Sequence, residues 1–354
     1  MAQSAAVLSM PLDIQQNIPL APLTTLKIGG NARHFARAES EDHVTEAVEY
    51  ARQHSLKLFI LGGGSNVLIS DAGFDGLVLQ IGLKGIERAG NVMIAGAGED
   101  WDDFVALCIG QDLAGVECLS GIPGLVGGTP VQNVGAYGQE VSETVSAIKC
   151  LDRDTGHIVE LSNTECGFSY RSSIFNSTHR DRYVVLSVVY SLVPAGDAKI
   201  VYRDLIDYFG ERRPSLAETR DAVITIRRRK SMVIEPSDPN SRSAGSFFRN
   251  PVVDQAKLRE LEASYGLVPS FAFKSRFKIP AAWLIEKAGF RKGCVHGQAA
   301  ISSRHTLALI NRGRASSGEM IALKVAIQEA VIRNFAIDLV PEPIFVGFPA
   351  ETGT

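Results

Sequence analysis

Residues 120–141 read SGIPGLVGGTPVQNVGAYGQEV, with six glycines and two prolines. No ordinary helix or strand runs through such a stretch: ordering glycine costs the most backbone entropy, and proline withholds a donor. The chain must therefore carry a long glycine-rich loop and build its regular elements around it. Such a loop, with few charges, suits a backbone wrapped closely around a flat or phosphorylated ligand. The alternative is a plain irregular connection, which is uncommon at this length inside a compact domain.

A shorter glycine loop precedes it. LGGGSN (61–66) follows the apolar run LKLFI. Its three glycines let backbone N–H groups converge on an anion with no Cβ in the way, and Ser65 and Asn66 add polar side chains. Taken alone, the run is equally well a tight turn. It matches neither G-x-G-x-x-G nor the Walker A loop, so classical nucleotide-fold and NTPase readings lose support. Together the two loops read as holders of the diphosphate and ring of a dinucleotide.

Regular elements flank these loops. EDHVTEAVEYARQH (41–54) places Val44, Ala47, Val48 and Ala51 on one face of a helix. GLVLQI and NVMIAGAG read as strands, and DWDDFVALCIGQ as a helix with Asp100 as its N-cap. VSAIKCLD, HIVEL and YVVLSVVYSLV continue the strands; SLAETRDAVITIRRRK (215–230) is a helix ending in four basic residues. After the loop EPSDPNSRS, helices are expected near 254–264, 280–288 and 317–335, with strand-like TLALIN between the last two. The result is a mixed α/β layering.

A chain of 354 residues suggests two or three domains, and 45% hydrophobic against 21% charged residues gives a real core. The net charge of −3 exerts no global pull on nucleic acid or anionic membrane. Five scattered cysteines, none in CxxC spacing, read as reduced thiols rather than disulfides, and no metal site is expected. No 18-residue apolar run exists, so no membrane insertion is expected. MAQSAAVLSMPLDIQQN lacks the charged and apolar regions of a signal peptide and reads as a frayed N-terminal extension. A cytoplasmic monomer is the expectation.

Four further stretches carry chemistry. GFSYRSSIF (167–175) sets Arg171 beside Tyr170, as a surface ion-pair residue or as the neighbour of a carboxylate or flavin ring. TIRRRKSM (225–232) puts Arg227, Arg228, Arg229 and Lys230 at a helix end, a solvated basic face or a phosphate clamp. LVPEPIFVG (339–347) fixes Glu342 between two prolines in an extended segment, a surface turn or a positioned carboxylate. SAGSFFRNP (243–251) places the Ser246 hydroxyl before two phenylalanines, with Arg249 and Asn250 following and no base nearby.

Taken in order, TTLKIGGNA, ILGGGSNVLISDAGFDGLVL, GIPGLVGGTPVQNVGAYGQEV, YRSSIF, AGSFFRNP, AAWLIEKAGFRKGCVHGQAAISSRHTLALIN and PEPIFVGF resemble the UDP-N-acetylenolpyruvoylglucosamine reductase family from about Pro22 to Gly347. The resemblance implies an α+β chain. Residues 1–18 would be an extension. Residues 19–77 and 78–228 would form the two subdomains of an FAD-binding fold of the vanillyl-alcohol-oxidase (PCMH) type, and 229–354 a smaller α/β substrate-binding domain. It implies NADPH-dependent reduction of UDP-N-acetyl-3-O-(1-carboxyvinyl)-glucosamine to UDP-N-acetylmuramate through FAD, a step of peptidoglycan precursor synthesis. The flavin would be held non-covalently, since Ser65 and Asn66 stand where some relatives of that wider fold place a tethering histidine.

The same resemblance implies a catalytic trio of Arg171, Ser246 and Glu342. FAD contacts would fall on Gly62, Gly63, Gly64, Ser65, Asn66, Ser120, Gly127, Gly135 and Arg227. Substrate contacts would fall on Tyr170, Lys230, Asn250 and Tyr202, the last in a VYRDL segment between strand and helix that marks the tyrosine-flap members. A uracil-side tyrosine of some members falls near Ser270 or Phe271, a substrate glutamine falls near His305, and the loop from Lys230 to Ser246 is longer than in some members.

The chemistry fits those residue types. Hydride delivered to the terminal carbon of the enolpyruvyl group pushes charge onto the carboxylate, and a fixed cation or donor must meet it. Arg171 supplies the cation; Glu342 serves as a protonated acid donating to the carboxylate or as the holder of a water. Ser246 protonates the adjacent carbon, a task that needs placement more than acidity, with Phe247 and Phe248 as water-excluding walls or core. A flavin oxidase of the same fold, a non-catalytic nucleotide-binding module and a nucleic-acid binder remain as rivals.

Overall fold

The computed structural model describes residues 11–349. They fall into two compact units. The first takes residues up to Ile18, Ala32–Gly63 and Phe74–Arg227; the second takes Pro19–Asn31, Gly64–Gly73 and everything from Arg228 on.

The first unit holds two sheets. Strands β1 (Ile14–Pro19), β2 (Asn31–Ala38), β3 (Lys57–Leu61) and β5 (Phe74–Ile81) form one, in the order β1-β2-β5-β3; β4 (Val67–Ile69) belongs to the second unit. Helix α1 (Glu41–Gln53) carries the chain from β2 to β3, and both strands run parallel to β5. Such crossovers bury the central strand on both faces, and Gly76–Leu79 of β5 are buried without alternation. Val44, Ala47 and Ala51 form the buried face of α1, as the 3.6-residue spacing predicts, with Val48 partly covered.

The other sheet is antiparallel, in the order Ile158–Ser162, Val145–Asp152, Tyr183–Ser191, β7 (Val92–Gly96), β6 (Ile86–Ala89). Helix α2 (Trp101–Gly110) is capped as expected: the Asp100 carboxylate accepts from the N–H groups of Asp102 and Asp103. Its Trp101 and Phe104 pack with Tyr190 at ring separations of 4.8–5.9 Å. Helices α3 (Arg203–Phe209) and α4 (Leu216–Arg229) share a smaller core of Leu205, Phe209, Ala222, Val223 and Ile226 with Cys118, just before the long loop, and Tyr137 within it.

The second unit packs α5 (Gln255–Tyr265), α6 (Ala281–Lys287) and α7 (Ser317–Phe335) with short strands. Helix α7 opens with a capping box between Ser316 and Glu319. The two short early segments are tied in by side chains. Asn311 donates to the Leu26 carbonyl at 3.0 Å, Thr25 to the Ser243 carbonyl at 2.6 Å, and Asp71 accepts from the Ser317 hydroxyl at 2.9 Å. Strand β4 pairs in parallel with Ile344–Val346.

Three expectations change. The N-terminal stretch is paired from Ile14 on, because β1 completes the first sheet; residues 1–10 of that expected extension lie outside the described residues. VYRDL is not a connection: Tyr202 is the N-cap residue of α3. Within TLALIN only Leu309–Asn311 is strand.

No disulfide forms among the described residues. Cys108, Cys118, Cys150 and Cys166 are buried and Cys294 half-buried. Burial pushes the Cys108 and Cys166 thiols up to about 12 and raises those of Cys118 and Cys150 as well. Thiolate is the reactive form. A thiol reagent at neutral pH is therefore expected to label Cys294 alone in the native protein, and the other four only on unfolding; mass spectrometry of labelled peptides checks this.

Candidate active site

In the first unit the start of the short glycine loop meets the long one at Gly63. A Cβ on Gly63 would lie 2.8 Å from Gly124 Cα, so the backbones touch where neither residue has a side chain. Gly64 has φ +65°, and a Cβ there would lie 2.0 Å from the Leu23 carbonyl oxygen. Gly62 instead opens onto free space, with nothing within 4 Å of an added Cβ. Among the described residues the N–H groups of Gly63, Gly64 and Ser65 find no acceptor. Backbone donors left this way call for an anion or water. A diphosphate beside an aromatic ring fits that chemistry, so the loop fits FAD.

The long loop is fixed by its neighbours. Gly127 donates to the Ala97 carbonyl at 2.9 Å and packs on Ala97 too closely for any side chain. Ser120 is fully buried, and its hydroxyl and its N–H both donate to the Glu117 carbonyl. Arg227 turns inward: it is buried, its Nε donates to the Gly121 carbonyl at 3.2 Å, and its charge acts on Tyr137. Arg228 and Arg229 are exposed and Lys230 is half-buried, so only the middle of the basic run is a solvated face. Burial lowers the Arg227 pKa and pushes Tyr137 up to about 12.

Asp102 and Arg220, which sequence reasoning passed over, lock the start of the loop. Arg220 pairs with the Asp102 carboxylate at 2.5 and 2.8 Å, and the same carboxylate accepts from the Gly121 N–H at 2.6 Å. Burial alone would raise the Asp102 pKa, but Arg220 and the Gly121 N–H outweigh it and hold the pKa below the ordinary value. Stability from such a carboxylate is complete above its unfolded pKa of about 3.9 and is lost as pH falls through the lower folded pKa. Asp102→Asn is therefore expected to be less stable than the wild type near neutral pH, with the gap closing in acid. Urea midpoints down to about pH 3 test this, and a constant gap would exclude the charge as its source.

Arg171 adopts φ +55°, a left-handed conformation uncommon for a side chain of its size. Its guanidinium donates to the Gly135 carbonyl at 2.8 Å and lies 5.5 Å from the Tyr170 ring centre. Asn176 donates to its carbonyl. The long loop and the Tyr-Arg turn are thus brought together. Tyr202 packs edge-on against Tyr137 at 5.5 Å, and Gly138 leaves room for Val201 beside it.

The second unit pairs the segment that carries Ser246 with the segment that carries Glu342. Phe247 accepts at its carbonyl from the Glu342 N–H at 2.9 Å, Arg249 donates its N–H to Val340, and Phe248 bridges Pro341. The Asn66 side chain donates to the Glu342 carbonyl at 3.2 Å, and Ile344 donates to Asn66. Phe247 and Phe248 are both core, at 0% and 1% exposure with rings edge-on at 5.4 Å, rather than walls of an open pocket. Ser246 is half-buried and its hydroxyl has no hydrogen-bond partner among the described residues. Gly245, at φ +73°, makes the turn that leads into it.

The substrate residues of this unit are spread out. Asn250 caps α6 by accepting from the Ala281 N–H at 2.9 Å. Lys230 is half-buried just after α4. His305 stands two residues before Leu307, whose carbonyl accepts from the Phe247 N–H at 2.8 Å.

Residues 32–162 match the family model of the FAD binding domain. With the glycine loops described above, this defines a FAD-binding flavoprotein of α+β architecture. Residues 237–346 match the model of the UDP-N-acetylenolpyruvoylglucosamine reductase C-terminal domain. The UDP-N-acetylenolpyruvoylglucosamine reductase of Thermobifida fusca (strain YX) is 42% identical, over 96% of this chain and 99% of that protein; that of Saccharopolyspora erythraea is 43% identical, over 92% and 94%. The chain belongs to the UDP-N-acetylenolpyruvoylglucosamine reductase family. Its fold is that of the crystal structure of UDP-N-acetylenolpyruvylglucosamine reductase from Thermus caldophilus, with TM-score 0.67, 23% identity and coverage of 96% of this chain and 100% of that one.

Proposed function

We propose that this protein reduces UDP-N-acetyl-3-O-(1-carboxyvinyl)-glucosamine to UDP-N-acetylmuramate, with NADPH as reductant and FAD as carrier. The observation that carries the reading is 42% identity to a named reductase over nearly the whole chain, in a structure whose Ser246 and Glu342 segments are joined by the backbone bond from Glu342 to Phe247. When bound, FAD would supply the hydride transfer that links NADPH to the substrate alkene. The N–H groups of Gly63, Gly64 and Ser65 hold its diphosphate, with Gly62 open beside them. No histidine stands in 61–66, which supports non-covalent binding.

The protein's own groups manage charge and proton. Arg171, fixed by the Gly135 carbonyl, meets the charge that builds on the substrate carboxylate. Glu342 assists there, and its backbone is set by Phe247 and Asn66. Ser246 gives its proton to the carbon beside the carboxylate, which completes the addition of hydride and proton across the double bond. Being half-buried, it can regain a proton from solvent. Tyr202, Lys230, Asn250 and His305 contact the UDP-sugar. Residues 19–228 thus serve mainly the flavin, with Arg171 and Tyr202 turned to the substrate, and 229–354 serve the substrate. Among the described residues no helix is long and apolar enough to cross a membrane and no metal-like cluster occurs. A cytoplasmic monomer completes the proposal.

The test is spectroscopic. Purified protein is expected to be yellow, to bleach with NADPH under anaerobic conditions, and to recover colour on adding the enolpyruvyl nucleotide. Fast recovery with oxygen and none with the nucleotide would instead make it an oxidase.

A further inference from the structure

We propose that Arg249 binds an oxyanion of the substrate, either its diphosphate or its carboxylate. The proposal rests on the reaction assigned above and adds a binding residue to it. Arg249 is a partly buried cation in the segment that carries Ser246 and Asn250. Its Nε has no solvent contact and no hydrogen-bond partner. No side-chain hydrogen bond or ion pair of this guanidinium occurs among the described residues. Two other arginines that are largely covered, Arg182 and Arg220, are paired with Asp152 and Asp102.

Such a group is costly. A buried donor without an acceptor loses its hydration and gains nothing, and the cost is larger for a charged group than for a neutral one. Structures tolerate few of these, and each calls for a reason such as a ligand. Only the Nε is sealed; Arg249 as a whole is partly exposed, so its terminal nitrogens are the part of the guanidinium that a ligand reaches. The backbone gives the side chain little freedom to leave: the Arg249 N–H is bonded to Val340 at 2.9 Å, Phe248 before it is buried, and Asn250 after it caps α6. The partner strand segment carries Glu342. An arginine held this way, its planar fork unpaired, suits a carboxylate or phosphate. The enolpyruvyl UDP-sugar offers both.

Arg249→Gln and Arg249→Met, prepared as flavin-loaded enzymes, separate the outcomes. UDP titration reads the diphosphate alone; titration with UDP-N-acetylmuramate reads diphosphate and carboxylate. The expected result is affinity for the nucleotide sugar weakened roughly tenfold to a hundredfold. Equal weakening for UDP assigns the diphosphate; UDP binding kept at the wild-type level assigns the carboxylate. The thermal midpoint of unliganded Arg249→Met is expected to equal or exceed that of the wild type, because the orphan donor is gone. Both ligands bound as by the wild type, or a loss confined to flavin reduction by NADPH, would overturn the proposal. Should the variants not fold, the wild-type Arg249 Nε–H resonance decides: it is expected to shift and exchange more slowly with nucleotide sugar, and indifference refutes the assignment. Failure of the reaction itself would appear separately, as wild-type flavin that the enolpyruvyl nucleotide does not reoxidise.

Discussion

Ser246→Ala is expected to bleach with NADPH at nearly the wild-type rate and to lose turnover by about a hundredfold to ten-thousandfold, the range a positioned general acid contributes. The two half-reactions divide because hydride transfer to FAD needs no proton from this hydroxyl, whereas saturation of the alkene does. The side chain is half-buried, has no partner among the described residues, and sits on backbone fixed through Phe247 to Leu307 and Glu342. Removing its oxygen therefore breaks no internal hydrogen bond and should cost little stability. Stopped-flow absorbance measures each step. Equal slowing of both would remove Ser246 from the role of proton donor.

Gly64→Ala is expected to give a colourless, destabilised protein. A left-handed φ costs an ordinary residue about 1–2 kcal/mol, and the new methyl would also strike the Leu23 carbonyl oxygen and Thr24 Cα, neither of which can rotate aside. The loop must shift, and with it the free N–H groups of Gly63, Gly64 and Ser65. Gly62→Ala is the control. Its methyl points into open space, so its folding midpoint should stay within about 0.5 kcal/mol of wild type while flavin affinity falls. Flavin content and urea midpoints measure both variants. A yellow Gly64→Ala protein of wild-type stability would disprove the cradle.

Local chemistry was legible in the sequence; pairing between distant segments was not. The spacing in 41–54, the Asp100 cap and the two glycine loops follow from local rules, and the structure repeats them. The order of seven motifs carried the family. Strand β1 escaped because IQQNIP has little apolar alternation and gains its place by pairing. VYRDL escaped because the capping residue of α3 is a tyrosine, which gives no helix-start signal. Asp102 and Arg220 are ordinary charged residues on two helices until folding brings them to the Gly121 N–H. The inward turn of Arg227, among three arginines alike in sequence, depends on the carbonyl of Gly121.

The parallel pairing of Val67–Ile69 with Ile344–Val346 bears on biosynthesis. While the ribosome is still making the chain, the strand after LGGGSN waits without its partner and the Asn66 carbonyl without its donor from Ile344. Contacts so far apart in sequence form late. A nascent chain stalled before position 344 therefore carries an unpaired strand edge next to its short glycine loop, a surface open to misassembly until the last residues are made.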